Sequence, residues 1–167
     1  DISNLGFQNI NPGSVRYVNF SVIARSGNLQ SITNLNASFS RGNALRTNPL
    51  CSLSGNIDAV TASYSCIVDL WYFDSPGEWN VSANVRDSEG SFSFRNESFI
   101  VMSNKYLTHN SSLSWSLLTP GGLNTFSDNP LLLSNVGNEP IVAGGINLSA
   151  VNLLRFGSGP EIIPVAN

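Results

Sequence analysis

The chain has 167 residues, of which 41% are hydrophobic and only 11% charged, and its formal net charge is −3. That much apolar mass excludes a disordered segment, which combines few apolar groups with many charges. No run of Lys and Arg exists to displace counterions, which excludes nucleic acid as a partner. No apolar stretch is long enough for a membrane-spanning helix.

Asn and Ser fill the polar positions that charged residues usually hold. Such a surface lacks the like-charge repulsion that keeps proteins apart. Attached sugars, or an assembly that buries the surface, would take its place. The chain opens on Asp1 rather than Met. Either a signal segment has been removed or the chain has been trimmed; the expectation is the first, a secreted, cell-surface protein. The long apolar N-terminal helix of type IV pilin-like subunits is missing, so any filament forms by another route.

Period-two alternation recurs from the first residues onward, and helical periodicity does not. Leu5 and Phe7 alternate within residues 1–10, ahead of an Asn11-Pro12-Gly13 turn. The same alternation serves a first strand of the chain's own sandwich or a strand donated to a neighbour. Residues 1–11 are therefore a candidate donor strand carrying Leu5 and Phe7. Val18, Phe20, Val22 and Ala24 form the apolar face of the next strand, and Leu35, Ala37 and Phe39 that of another. Cys66, Val68, Leu70 and Tyr72 share one face of a strand whose other face carries Ile67, Asp69, Trp71 and Phe73. Two apolar faces predict a central strand. Trp79, Val81, Ala83 and Val85 predict a half-buried one. Phe92 and Phe94 differ in parity from Phe99 and Val101, so a bulge is expected near Arg95 to Glu97. Turn residues separate the runs at Ser26-Gly27-Asn28, Arg41-Gly42-Asn43, Ser75-Pro76-Gly77 and Ser88-Glu89-Gly90.

A boundary falls near Ser103 to Thr108. Beyond it, Leu113, Trp115 and Leu117 alternate, Leu131 to Leu133 run together, and Ile146, Leu148 and Ala150 alternate again. Pro160 and Pro164 bracket a last short strand and confine it to an edge. The predicted architecture is all-β. An immunoglobulin-like β-sandwich over residues 1–102 is followed by a second, smaller β-sandwich over 103–167. The second unit has fewer residues than the roughly 100 a seven-strand sandwich uses. It is either small and complete, or short of a strand that a neighbouring subunit supplies.

The stretch from Asp74 to Gly90, Asp-Ser-Pro-Gly-Glu-Trp-Asn-Val-Ser-Ala-Asn-Val-Arg-Asp-Ser-Glu-Gly, resembles the polycystic-kidney-disease-type and related Ig-like repeats of microbial surface proteins. In those repeats Pro-Gly and an aromatic residue lead into an alternating strand that ends in an acidic turn with Gly. Here Trp79 stands where Tyr is more usual. The Asn/Ser-rich, charge-poor composition is similar to that of secreted archaeal surface proteins, among them the subunits of glycosylated threads and bundling pili. That resemblance implies a filament in which a terminal strand of one subunit completes a sandwich in the next.

Cys51 and Cys66 form the one even pair of cysteines, which predicts a disulfide; the alternative is two buried thiols. No second Cys/His pair completes a metal site. Six Asn-x-Ser sequons occur, at Asn19, Asn36, Asn80, Asn96, Asn110 and Asn147. Random placement of 22 Asn and 32 Ser plus Thr would give about four, so the count alone decides little. The phase decides more. Asn19, Asn36, Asn80 and Asn147 take the outward parity of their strands, Asn110 precedes one, and Asn96 depends on the expected bulge. N-linked glycans are expected, and no other cofactor.

The single His109 has no Ser, Cys or acid at a catalytic spacing and reads as a loop residue. Asp87 and Glu89 flank a turn and could ligate Ca²⁺, though such pairs are more often just a turn. Asp58, Asp69 and Asp74 make no acid/base pair, and Asp69 is expected to meet an Arg or solvent. Trp71, Trp79 and Trp115 are expected as core anchors in preference to a sugar platform. The reading is a structural, non-enzymatic subunit polymerised head-to-tail with identical copies and in possible contact with other cell surfaces. The alternative is a surface-layer component, or an adhesin or carbohydrate-binding module.

Overall fold

The computed structural model describes residues 1–27, 32–48, 50–116 and 125–149, and the backbone at 153–154 and 162–163. No helix among the described residues is long and apolar enough to cross a membrane. The N-terminal part is a two-sheet β-sandwich, as expected. One sheet has the order β1 (Ile2–Ser3), β3 (Val15–Arg25), β7 (Thr61–Trp71), β6 (Ser52–Asn56). The other has the order β2 (Phe7–Gln8), β9 (Phe92–Val101), β8 (Gly77–Asp87), β4 (Ile32–Arg41), β5 (Ala44–Asn48). Read in chain order, these are the strand sets of a constant-type immunoglobulin sandwich, extended at both edges of the second sheet.

Period-two patterning explains the layers. Val18, Phe20, Val22 and Ala24 of β3 and Ala62, Tyr64, Cys66, Val68 and Leu70 of β7 point inward from the first sheet. Leu35, Ala37 and Phe39 of β4, Trp79, Val81 and Ala83 of β8, and Phe99 and Val101 of β9 meet them from the second. Phe39 packs 5.4 Å from Phe20 across the layer and 4.6 Å from Phe99 within its own sheet, centroid to centroid. Trp79 is fully buried, and its indole N–H donates to Ser75 O at 2.9 Å, so its polar atom has a partner. Gly42, with φ of 53°, takes the first central position of the two-residue β4–β5 hairpin, where glycine is favoured.

Asp74 is buried at the end of β7. It accepts bonds from Arg46 Nε at 3.1 Å, from Arg46 Nη2, and from Trp71 N at 2.8 Å. The pair ties β5 of one sheet to the end of β7 in the other.

The first ten residues switch sheets. Ile2 and Ser3 pair antiparallel with Val22 and Ser21, and Phe7 and Gln8 then pair parallel with Ile100 and Val101. The crossing uses a left-handed Asn4, with φ of 69°. Ile2, Leu5 and Ile10 enter the core of their own sandwich. Leu5 is 8% exposed and Phe7 77%, so the alternating pair of the candidate donor strand divides between core and solvent.

The bulge expected near Arg95 to Glu97 is absent. β8 and β9 pair without interruption from Gly77↔Val101 to Arg86↔Phe92. The parity conflict is resolved differently: Arg95 and Glu97 take the inward parity, and Phe92 and Phe94 face out. β2 pairs with the β9 edge only at Ile100 and Val101, and the inward positions Arg95 and Glu97 lie outside the core cluster, exposed and half-buried respectively. The two side chains pair with each other at 2.6 Å. Inward-pointing charges on an uncovered edge discourage other strands from adding there.

Cys51 and Cys66 form a disulfide, with Cα atoms 4.5 Å apart. Ser52 pairs with Ser65, which sets the two cysteines opposite one another at the start of β6. Their bond holds the otherwise exposed β6 edge onto β7. Replacing both cysteines with Ala is expected to lower stability by about 3 kcal/mol, the chain-entropy value for a loop of this length. Urea unfolding of the oxidised protein and of the double variant checks it.

Candidate functional site

The chemistry of this chain is that of a surface with an unfinished half. After Val101 no apolar side chain joins the core cluster among the described residues. β10 (Leu107–His109) pairs only with β11 (Leu133–Asn135), and β12 (Leu153–Leu154) only with β13 (Ile162–Ile163). The strand expected at Leu113–Trp115 is irregular chain, Leu117 lies outside the described residues, and Ile146–Ser149 extends without pairing. Two-stranded ladders of this size do not stand alone in water. Phe126 is 90% exposed and Val142 71%, and Leu131, Leu132, Ile146 and Leu148 are exposed too. Among the described residues, the second unit has only short two-stranded pairings and no buried apolar cluster of its own.

This half is nevertheless held firmly at one point. Asn138 is buried, donating from Nδ2 to Met102 O at 2.8 Å and accepting from Asn104 N at 2.6 Å. Its backbone N–H donates to Asn104 O at 2.9 Å. Asn104 Nδ2 reaches Ile10 O at 3.1 Å, and Gly13 N donates to Val136 O at 2.9 Å. The clamp thus joins the Asn11–Ser14 turn, the exit from β9 and the end of β11. Gly137 is required there: a Cβ would strike the Asn104 backbone oxygen and lie 2.7 Å from Tyr106 N. In the sequence, Asn135-Val136-Gly137-Asn138 is visible as a turn, but nothing marks Asn138 as buried.

The sequon asparagines are all at the surface. Asn19, Asn80, Asn96 and Asn147 are exposed, and Asn36 and Asn110 half-buried. Strand register sets Asn36, Ser38 and Ser40 beside Asn84, Ser82 and Asn80, and these beside Phe94, Asn96 and Ser98. The middle of the outer face of the second sheet is therefore a patch of amides and hydroxyls holding three sequons, with Phe94 at its margin. Asn110 differs from the rest. Its Nδ2 donates to Ser112 O and Pro130 O, at 2.9 and 3.2 Å, and its Oδ1 accepts from Leu132 N.

Of the three tryptophans expected in the core, only Trp79 is there. Trp71 is 41% exposed, on the outward parity of β7, where no further layer covers the sheet among the described residues. Trp115 is exposed on irregular chain, its indole N–H donating to Thr125 O at 3.3 Å. His109 Nδ1 lies 2.8 Å from Asn110 O on the exposed β10. Asp87 Oδ1 accepts from Glu89 N and Ser91 N at 3.0 and 2.8 Å, so it closes its own turn. No group of three metal-ligating side chains occurs among the described residues. Comparison with protein-family models, curated proteins and solved structures finds no match.

Asn138→Ala removes two buried hydrogen bonds, each of order 1 kcal/mol. It is expected to speed amide exchange across residues 103–149 at least tenfold while leaving the sandwich within about 0.5 kcal/mol of its original stability. Hydrogen-exchange mass spectrometry reads both halves at once. Equal loss of protection in the two would show that the clamp holds the sandwich itself.

Proposed function

We propose that this chain is a structural subunit of a glycosylated extracellular filament, assembled head-to-tail through β-strand exchange between identical copies. One observation carries the reading. A closed, disulfide-linked sandwich is followed by a half whose described apolar side chains, Phe126, Val142 and Leu148 among them, stand exposed and join no core among the described residues. With only 11% charged residues, the surface has little to keep copies apart.

The N-terminal strand is the exchangeable element. It is held by two short pairings and by Ile2, Leu5 and Ile10, and it leaves the sandwich through the Asn11–Ser14 turn. Moving it into a neighbour re-forms the same contacts there, so the exchange costs little. New contacts made by the outward Phe7 and by residues 103–149 then favour the polymer. Such a contact is heterologous and propagates unless it closes into a ring. A surface layer would use the same contacts in a sheet. No catalytic step belongs to this reading.

Native protein prepared without denaturant is expected to show fibres by negative-stain electron microscopy. A variant lacking residues 1–10 is expected to remain monomeric and to bind a synthetic peptide of those residues. Monodisperse native monomers, together with a variant that ignores the peptide, would overturn the proposal.

Glycopeptide mapping of the native protein is expected to find sugars at Asn19, Asn80, Asn96 and Asn147. Asn110 is expected to stay bare, because its Nδ2 hydrogens are both used in folding the β10 end.

A further inference from the structure

A hollow of about 420 Å³ lies on the outer side of the first sheet, where β5 runs beside β7. That volume is within the range of small-ligand sites, roughly 300–1,000 Å³. Leu45 and Thr47 of β5 form one wall, and Ile67, Asp69 and Trp71 of β7 the other. Tyr17 of β3 is directly opposite Asp69 in register and is exposed on the same face. Phe73 stacks near-parallel to Trp71, at 18° and 6.0 Å, and braces that ring.

The polar groups here are unspent. Asp69 is half-buried and makes no hydrogen bond or ion pair with the described residues. The indole N–H of Trp79 and that of Trp115 are satisfied, whereas that of Trp71 has no partner among the described residues. β6 pairs with β7 only as far as Ser65. Beyond it, Ile67 O accepts from Asn48 Nδ2 and Trp71 N donates to Asp74 Oδ2, both on the β5 side. Alternate residues of a strand aim their backbone groups the same way, so the N–H and C=O of Asp69 point into the hollow as well. Edge groups without a protein partner, beside a carboxylate and a bare aromatic face, are available to pair with a ligand in place of water.

The chemistry selects the ligand. Arg46, the one cation lining the hollow, is committed to Asp74, so no free positive charge remains to hold a phosphate or another anion. The Asp69 carboxylate repels anions and accepts strongly from hydroxyls. Trp71, Leu45 and Ile67 offer apolar contact for C–H groups. A neutral ligand presenting C–H faces and hydroxyl edges together meets all of these demands. We infer that the hollow between β5 and β7 binds a neutral saccharide, with Trp71 stacking on the ring and Asp69 accepting from adjacent hydroxyls. The inference does not rest on the filament reading, since the walls come from the closed sandwich alone.

The test is a ¹⁵N NMR titration of unglycosylated protein with glucose, mannose and N-acetylglucosamine oligosaccharides. A saturable shift confined to the Trp71 indole and the Thr47 and Asp69 amides is expected for at least one of them. Trp71→Ala is expected to weaken it at least tenfold and Asp69→Asn several-fold, with the other amide shifts of the fold unchanged. A second titration uses unlabelled native protein. Movement of the same resonances assigns the sugar to a neighbouring copy's glycan, and movement with free oligosaccharide alone assigns it to an external polysaccharide. No saturable shift at tens of millimolar sugar, or a shift that survives in Trp71→Ala, overturns the inference.

Discussion

The contact between Phe20 and Phe39 is the constraint on which the sandwich depends. It is the aromatic link between the sheets, and Phe99 extends it across the second one. Once these rings face each other, strand parity determines every other inward position. A slip of one residue in β3 would turn Val18, Phe20 and Val22 outward and bring Tyr17, Asn19 and Ser21 into the core. The eleven-pair ladder between β3 and β7, anchored at its far strand by the disulfide, makes such a slip expensive. The Asn/Ser patch and the hollow beside β7 are both consequences of this registration, because each draws on the outward parity of strands whose inward parity is committed.

Sequence reading succeeds here wherever one face is buried and the other is not. The apolar faces of β3, β4, β7 and β8 emerge from alternation alone, and the turns at Gly42 and Gly77 punctuate them. It fails where apolar residues are exposed. Ile67, Trp71 and Phe73 have the hydrophobicity of a covered face, and composition does not reveal that no layer covers them. The same blindness made Arg95 and Glu97 look like a register break. Alternation assumes a partner sheet along the whole strand, and β9 extends past its partner. Asn138 was missed for the opposite reason: a polar residue in a turn signature is read as solvated, yet its amide replaces backbone pairing that the β9 exit lacks. Leu5 and Phe7 show the limit of parity itself, since the segment carrying them crosses between sheets and the period restarts.

The two halves of the chain solve the burial problem differently. The sandwich closes on itself and protects its open β9 edge with an inward ion pair. Residues 103–149 keep apolar side chains at the surface and rely on one polar clamp. A chain that tolerated this only by accident would be expected to carry charge around the exposed patch, since charge is the ordinary guard against non-specific association. The ionic groups of this half are sparse: Lys105 pairs with Glu139 at 3.1 Å, and Asp128 accepts from Ser116 Oγ. Guarding is thus concentrated on the edge of the closed sandwich and is weak on the half without an interior.

That asymmetry bears on how copies would associate. If both ends were equally sticky, association would be indiscriminate, and hydrophobic aggregation would compete with any ordered polymer. In the proposed assembly, blocking strand addition along β9 would leave the slot of residues 1–10 as the acceptor, open only once that segment departs. The clamp ties the base of this segment to Val136 through Gly13, which couples the position of the exposed half to the strand that would move. In the proposed filament, a neighbour engaging residues 103–149 would therefore also act on the turn that leads out of residues 1–10. Specific, directional growth requires that coupling, and non-specific collapse does not.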